Sequence, residues 1–243
     1  MQNTPKTKKF KQRDAIRYMV FIALFSALAY ALTFFFSIKV SFLTFDLKDA
    51  LITIASFLFG PLAGLIISLL VATLELVTIS GTGFYGFIMN FCSSATFCVV
   101  ASLIYRRRKT LNNALISMLC AVVALVGVML LLNLFITPFY TGMDRAGVAG
   151  MIPTLLFPFN LAKGLVNSAI AMILYKPIAT TLRRSGFMPG VASRKGEYTS
   201  EGKQSKERFV FTKSTVIILI IAVLTLVLAT VILYSLDAQI LFK

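Results

Sequence analysis

Five side chains in this sequence carry polar chemistry where their neighbours are apolar: Glu75, Asn90, Asn133, Asn160 and Lys163 each lie inside a hydrophobic run. A charged group in the centre of a bilayer costs about 2.5 to 3.5 kcal/mol on insertion scales, so each such residue needs a partner or a task. Asn offers both a donor and an acceptor and Lys a donor to a carbonyl or hydroxyl, a set that suits the edge of a planar polar metabolite carrying amide-like groups. Asn160 and Lys163 stand at i, i+3, with Asn167 four residues further on, which puts the three on one helical face. Catalytic chemistry is poorly provided for. There is no histidine, the three cysteines (Cys92, Cys98, Cys120) match no zinc spacing, and Glu75 and Lys163 come with no arrangement of nucleophile and base. The reading is a binding protein, not an enzyme, with no metal or cofactor.

The elements that must position these groups are membrane helices. The chain has 243 residues, 58% hydrophobic and 14% charged, with a mean hydropathy of +0.87, well above a soluble domain. Successive apolar runs are long enough to cross a bilayer as helices. Helices are predicted at about 15–37, 47–59, 62–79, 84–105, 113–135 and 152–182, the last bent near Pro153 and Pro158. Gly60-Pro61 and 80–83 serve as breaks, 38–46 is a mixed segment, and a loop falls at 138–150. The first run is too long for a signal-peptide core, lacks a convincing cleavage site and is followed by further spans, so it stays as helix one. Residues 183–213 are rich in Ser, Gly, Lys, Arg and Glu and read as a linker. Residues 214–236 read as a seventh helix and 237–243 as a short outer tail. The fold class is all-α: an integral membrane bundle of six helices (15–182) plus a C-terminal seventh.

The formal net charge is +15, and the basic residues collect at 1–14, at Arg106-Arg107-Arg108-Lys109 and in the linker, all between apolar spans. That is the bias of cytoplasmic loops, not a nucleic-acid surface. It puts the N-terminus inside, and the segments 38–46, 80–84 and 138–150, with the C-terminus, outside the cell membrane. On that orientation the five polar groups share a depth near the outer face, the geometry of a pocket open to the outside. Two readings stand beside each other: a ligand pocket, or structural use in which Glu75 pairs with Lys163 and the Asn residues link helices. Phe42, Phe45, Phe84, Tyr85 and Phe139 fit either ring-stacking cover or an interfacial aromatic belt.

The segments Phe45-Asp46-Leu47-Lys48-Asp49-Ala50, Phe57-Leu58-Phe59-Gly60-Pro61-Leu62-Ala63-Gly64 and Pro158-Phe159-Asn160-Leu161-Ala162-Lys163-Gly164 resemble the S components (substrate-binding subunits) of energy-coupling factor (ECF) transporters, with the riboflavin-specific branch most similar. The last segment, followed by Leu165-Val166-Asn167-Ser168, is the most specific, and the resemblance covers about 15–182. It implies high-affinity binding of riboflavin near the outer face, with FMN as a further candidate ligand. Asn133, Asn160 and Lys163 would contact the flavin, Glu75 and Asn90 are weaker carry-overs, and the loop 40–45, with Thr44 and Phe45, would form part of a lid. It further implies docking on a transmembrane coupling protein driven by two ATP-binding subunits. In the family, small residues of helix one form the docking face, which puts Ala23, Ala27 and Ala31 on such a stripe here; packing of that stripe inside the bundle is the other reading. Six helices are usual in this branch, so the linker and seventh helix depart from the pattern. The alternatives are an S component for another planar vitamin or precursor (folate, a queuosine precursor, a pyrimidine), or a membrane enzyme or structural membrane protein.

Overall fold

A computed structural model describes residues 5–107 and 111–184 of the chain. The elements in order are α1 (Pro5–Phe36), β1 (Ile38–Val40), β2 (Leu43–Phe45), α2 (Lys48–Phe59), α3 (Pro61–Thr78), α4 (Gly83–Arg107), α5 (Leu111–Thr141), α6 (Arg145–Gly150), a π-helical turn (Ile152–Leu156) and α7 (Phe157–Arg184). Among the described residues, five helical segments are long and apolar enough to cross a membrane: Asp14–Phe36, Pro61–Thr78, Gly83–Arg107, Asn112–Thr141 and Ile152–Leu182. At 12 residues α2 is too short to span. It is buried along ten consecutive positions from Lys48 to Phe57 and forms the centre of the bundle, packing on α1, α3, α4 and α7.

The turn from α2 to α3 follows from its glycine and proline. Gly60 has φ +104°, a region that disfavours side chains, and its N–H closes α2 on the Ser56 carbonyl at 2.8 Å. Pro61 then opens α3, where its missing N–H costs nothing. One turn later Gly64 sits at a close crossing: a Cβ there would lie 2.8 Å from both the Ser56 side chain and Cys98 Sγ. Around this crossing Phe59 stacks on Phe21 of α1 at 5.0 Å and Phe57 on Tyr105 of α4 at 4.3 Å.

Three predicted boundaries need correction. Helix one, expected from about residue 15, starts at Pro5. The mixed segment 38–46 is an antiparallel hairpin in which Ile38 pairs with Phe45 and Val40 with Leu43, turned by Ser41 at φ +56°. The predicted loop starting at Pro138 is helix until Thr141, because a proline so near a helix end removes a single hydrogen bond. Gly142, at φ +73°, is the actual stop, and its N–H returns to the Pro138 carbonyl at 3.1 Å. The remainder of that loop contains α6, capped by the Asp144 carboxylate on the Gly147 N–H at 3.0 Å. The bend expected near Pro153 and Pro158 is the π-turn, in which the Leu156 N–H reaches the Met151 carbonyl at 3.0 Å. The predicted linker beyond residue 184 and the seventh helix lie outside the described residues.

Candidate functional site: a charged chain beneath a hollow

The corner between β2 and α2 brings Asp46, Lys48 and Asp49 into the interior, each 1% exposed or less. Lys48 Nζ donates to Glu75 Oε1 and Oε2 of α3 at 2.6 and 2.7 Å and lies 3.4 Å from Asp46 Oδ2. The same Asp46 oxygen accepts from Lys163 Nζ of α7 at 3.0 Å, and Lys163 lies 4.0 Å from Asp49 Oδ2. The result is a chain of alternating charge, Glu75, Lys48, Asp46, Lys163, Asp49, that joins three helices. Its two ends meet α4: Asn90 Nδ2 donates to Glu75 at 2.9 Å, and the Ser94 hydroxyl donates to Asp49 Oδ1. Asn90 and Ser94 are four residues apart and share one face of α4, so the chain closes into a ring through that helix. Deep burial of charge is tolerable only with such pairing.

Asn167, fully buried, fastens the ring to its scaffold. Its Oδ1 accepts from the Ala50 N–H at 2.9 Å, and its Nδ2 donates to the carbonyls of Asp46 and Lys163, both at 3.0 Å. One side chain thus satisfies an orphan donor in the first turn of α2 and holds the foot of the hairpin against α7.

Over this ring lies a hollow of about 60 Å³, room for a few waters. Its roof is Phe42, Leu43 and Thr44 of the hairpin. Its walls come from Thr82, Gly86, Met89, Asn90 and Ser93 at α4, Met129 and Tyr140 of α5, and Phe159, Asn160 and Lys163 of α7. The wall mixes polar groups (Thr44, Thr82, Asn90, Ser93, Asn160, Lys163) with apolar ones (Phe42, Leu43, Met89, Met129, Phe159), so a ligand there can be both hydrogen-bonded and covered. Asn160 spends its Nδ2 on the Leu156 carbonyl at 2.7 Å, which leaves its oxygen as the acceptor toward the hollow. The Ser93 hydroxyl is buried with no hydrogen-bond partner among the described residues.

Of the residues singled out in the sequence, Thr44, Asn90, Asn160 and Lys163 meet at this hollow. Glu75, Asn133 and Phe45 do not line it. Glu75 stands behind Asn90 and its cation is Lys48, not Lys163, which corrects the pairing considered from sequence. Asn133 is turned along its own helix, donating to the Met129 carbonyl at 2.7 Å and accepting from Thr137 at 3.0 Å. Phe45 packs edge-on against Phe159 at 6.1 Å beneath the roof. Among the aromatics, Phe42 is on the roof and meets Tyr140 edge-on at 6.3 Å, while Phe84 and Phe139 face outward. Cys98 is buried beside Ser68, but Cys120 faces outward, so not all three cysteines are packed inside. Sequence reasoning missed Lys48, Asp46 and Asp49 as partners, and Ser93 and Tyr140 as wall residues. Ser93 had a signal, since it sits at i+3 from Asn90.

Ala23 and Ala27 are exposed on the outer face of α1 and Ala31 is half-buried, so this stripe does not pack into the described bundle.

A family model described as "ECF transporter, substrate-specific component" matches residues 17–175, most of the described bundle. The chain belongs to this family. Among its relatives are the riboflavin transporter RibU of Staphylococcus aureus (strain TCH60), 31% identical over 176 residues, which cover 68% of this chain and 92% of that protein. Another is the riboflavin transporter FmnP of Bacillus subtilis (strain 168), 24% identical over 178 residues, 66% of this chain and 90% of that one. The bundle is also similar to a solved structure described as the S component of a bacterial ECF transporter, with a TM-score of 0.60 and 30% identity over 69% of this chain and 98% of the other. This S component is thus a multi-pass membrane protein with the architecture of its solved relative, and its described residues account for nearly the full length of that relative.

Proposed function

We propose that this S component binds riboflavin in the hollow between the hairpin, α4, α5 and α7, and hands it to an ATP-driven coupling module for uptake. The observation that carries the reading is the convergence of Thr44, Asn90, Asn160 and Lys163 on one hollow that also presents Phe42, Met89, Met129 and Phe159. The riboflavin transporters named among its relatives support riboflavin as the ligand. Asn160 and Ser93 offer hydrogen bonds to the polar edge of the ring system, Lys163 reaches a carbonyl or hydroxyl, and Met89, Met129 and Phe159 cover its faces. Phe42, Leu43 and Thr44 of the hairpin cover the bound ligand on the outer side. The hairpin end of the bundle faces outside and the end bearing Arg106 and Arg107 faces the cytoplasm, in line with the placement of basic residues. The exposed alanine stripe of α1 is the face that docks on the transmembrane coupling protein, which carries two ATP-binding subunits. The purified protein should be yellow when produced in a riboflavin-containing medium, with the flavin fluorescence quenched. A colourless protein that ignores added riboflavin would overturn the reading.

A further inference from the structure

The charged chain is unbalanced: three carboxylates (Asp46, Asp49, Glu75) face two ammoniums (Lys48, Lys163), an excess of one negative charge among buried side chains. An uncompensated buried charge is expensive, and in practice such a group neutralises itself. The structure also shows where the imbalance falls. Two buried carboxylate oxygens, Asp46 Oδ1 and Asp49 Oδ2, have no hydrogen-bond donor among the described residues. The four other carboxylate oxygens of the chain are all served: Glu75 by Lys48 and Asn90, Asp46 Oδ2 by both lysines, Asp49 Oδ1 by Ser94.

Asp49 is the weaker-held of the two aspartates. Lys163 of α7 stands off its Oδ2 at 4.0 Å while sitting 3.0 Å from Asp46, and Lys48 is turned toward Glu75 and Asp46. From α4 it meets the neutral hydroxyl of Ser94 and faces the buried thiol of Cys98, and at the start of its own helix it faces Asp46, a like charge. We propose that the ring is a proton-binding site, with Asp49 holding one proton from solvent on Oδ2. The carboxylate becomes a carboxylic acid, its Oδ1 still accepts from Ser94, and the chain is electrically neutral. The proton turns an oxygen that lacks a donor into a donor itself.

The consequence is a protein that loses stability as pH rises. The native state holds a proton that the unfolded chain has already released above about pH 4, so raising the pH toward the folded-state value removes native stabilisation. This inference does not depend on which ligand fills the hollow, and neither does its test. The full chain is reconstituted in lipid nanodiscs and its infrared spectrum recorded without ligand from about pH 6 to about pH 9, where exposed carboxyls are ionised. The expected result is a carboxylic-acid C=O band at neutral pH that shifts in deuterated buffer. It should survive in Asp144→Asn, a change at an exposed helix cap, and vanish in Asp49→Asn, whose thermal stability should no longer fall with rising pH. A wild-type spectrum lacking a carboxylic-acid band at neutral pH overturns the proposal whatever the variants do, and a band that persists in folded Asp49→Asn overturns the assignment to Asp49. A failure of riboflavin to bind would leave these spectra unchanged, so the two readings fail separately.

Discussion

Lys163 belongs both to the wall of the hollow and to the charged chain, and this decides what its loss does. Removing it leaves Asp46 and Asp49 buried with a single cation nearby, so Lys163→Ala should lower the unfolding free energy by about 3 to 5 kcal/mol, read by thermal melts without ligand. Asn160 is not part of the chain. Asn160→Ala should cost about 1 kcal/mol of stability, the worth of its bond to the Leu156 carbonyl, and weaken riboflavin binding by about 1 to 3 kcal/mol, measured by calorimetric titration on the folded variant, because a ligand donor or acceptor is left unpaired. At this scale the sequence was partly legible. The polar residues inside apolar runs were visible because lipid penalises them. Lys48 and its two aspartates were not, since charges at the border of a helix are ordinarily solvated. Their burial depends on Glu75 and Lys163, which are distant in sequence and meet them only in the folded bundle.

The short elements hold the site, and they were the hardest to read. The hairpin has three paired residues per strand and its turn residue Ser41 adopts a left-handed conformation. Ser41→Ile puts a β-branched side chain at this left-handed position and should lower the melting temperature and speed ligand release. The α2/α3 crossing is stiffer. Because a Cβ on Gly64 would meet Ser56 and Cys98 at 2.8 Å, Gly64→Ala should destabilise the bundle by about 1 to 3 kcal/mol in thermal unfolding. The Gly60-Pro61 turn was readable because both residues have narrow backbone uses. The end of α5 was misplaced because Pro138 carries the stronger stop signal on paper, whereas Gly142 supplies the backbone angle that ends the helix. The hairpin escaped because two strands of three residues leave too short an alternation to detect.

Across the whole molecule, apolar run lengths gave the membrane bundle and most helix boundaries to within a few residues, since the bilayer imposes that length. The outward face of α1 is where the molecule meets a partner in the proposed transport cycle. Ala27→Trp should abolish riboflavin uptake by cells carrying the coupling module while leaving binding by the purified protein intact; normal uptake by the variant would argue against docking through that stripe. Binding itself is the claim on which the account stands. The most direct measurement is a fluorescence titration of riboflavin with the purified full chain, wild type and Asn160→Ala in parallel. The expected result is saturable quenching at one ligand per protein for the wild type, with affinity lower by about five- to 150-fold in the variant. Flavin fluorescence that stays constant as folded wild-type protein is added would contradict it.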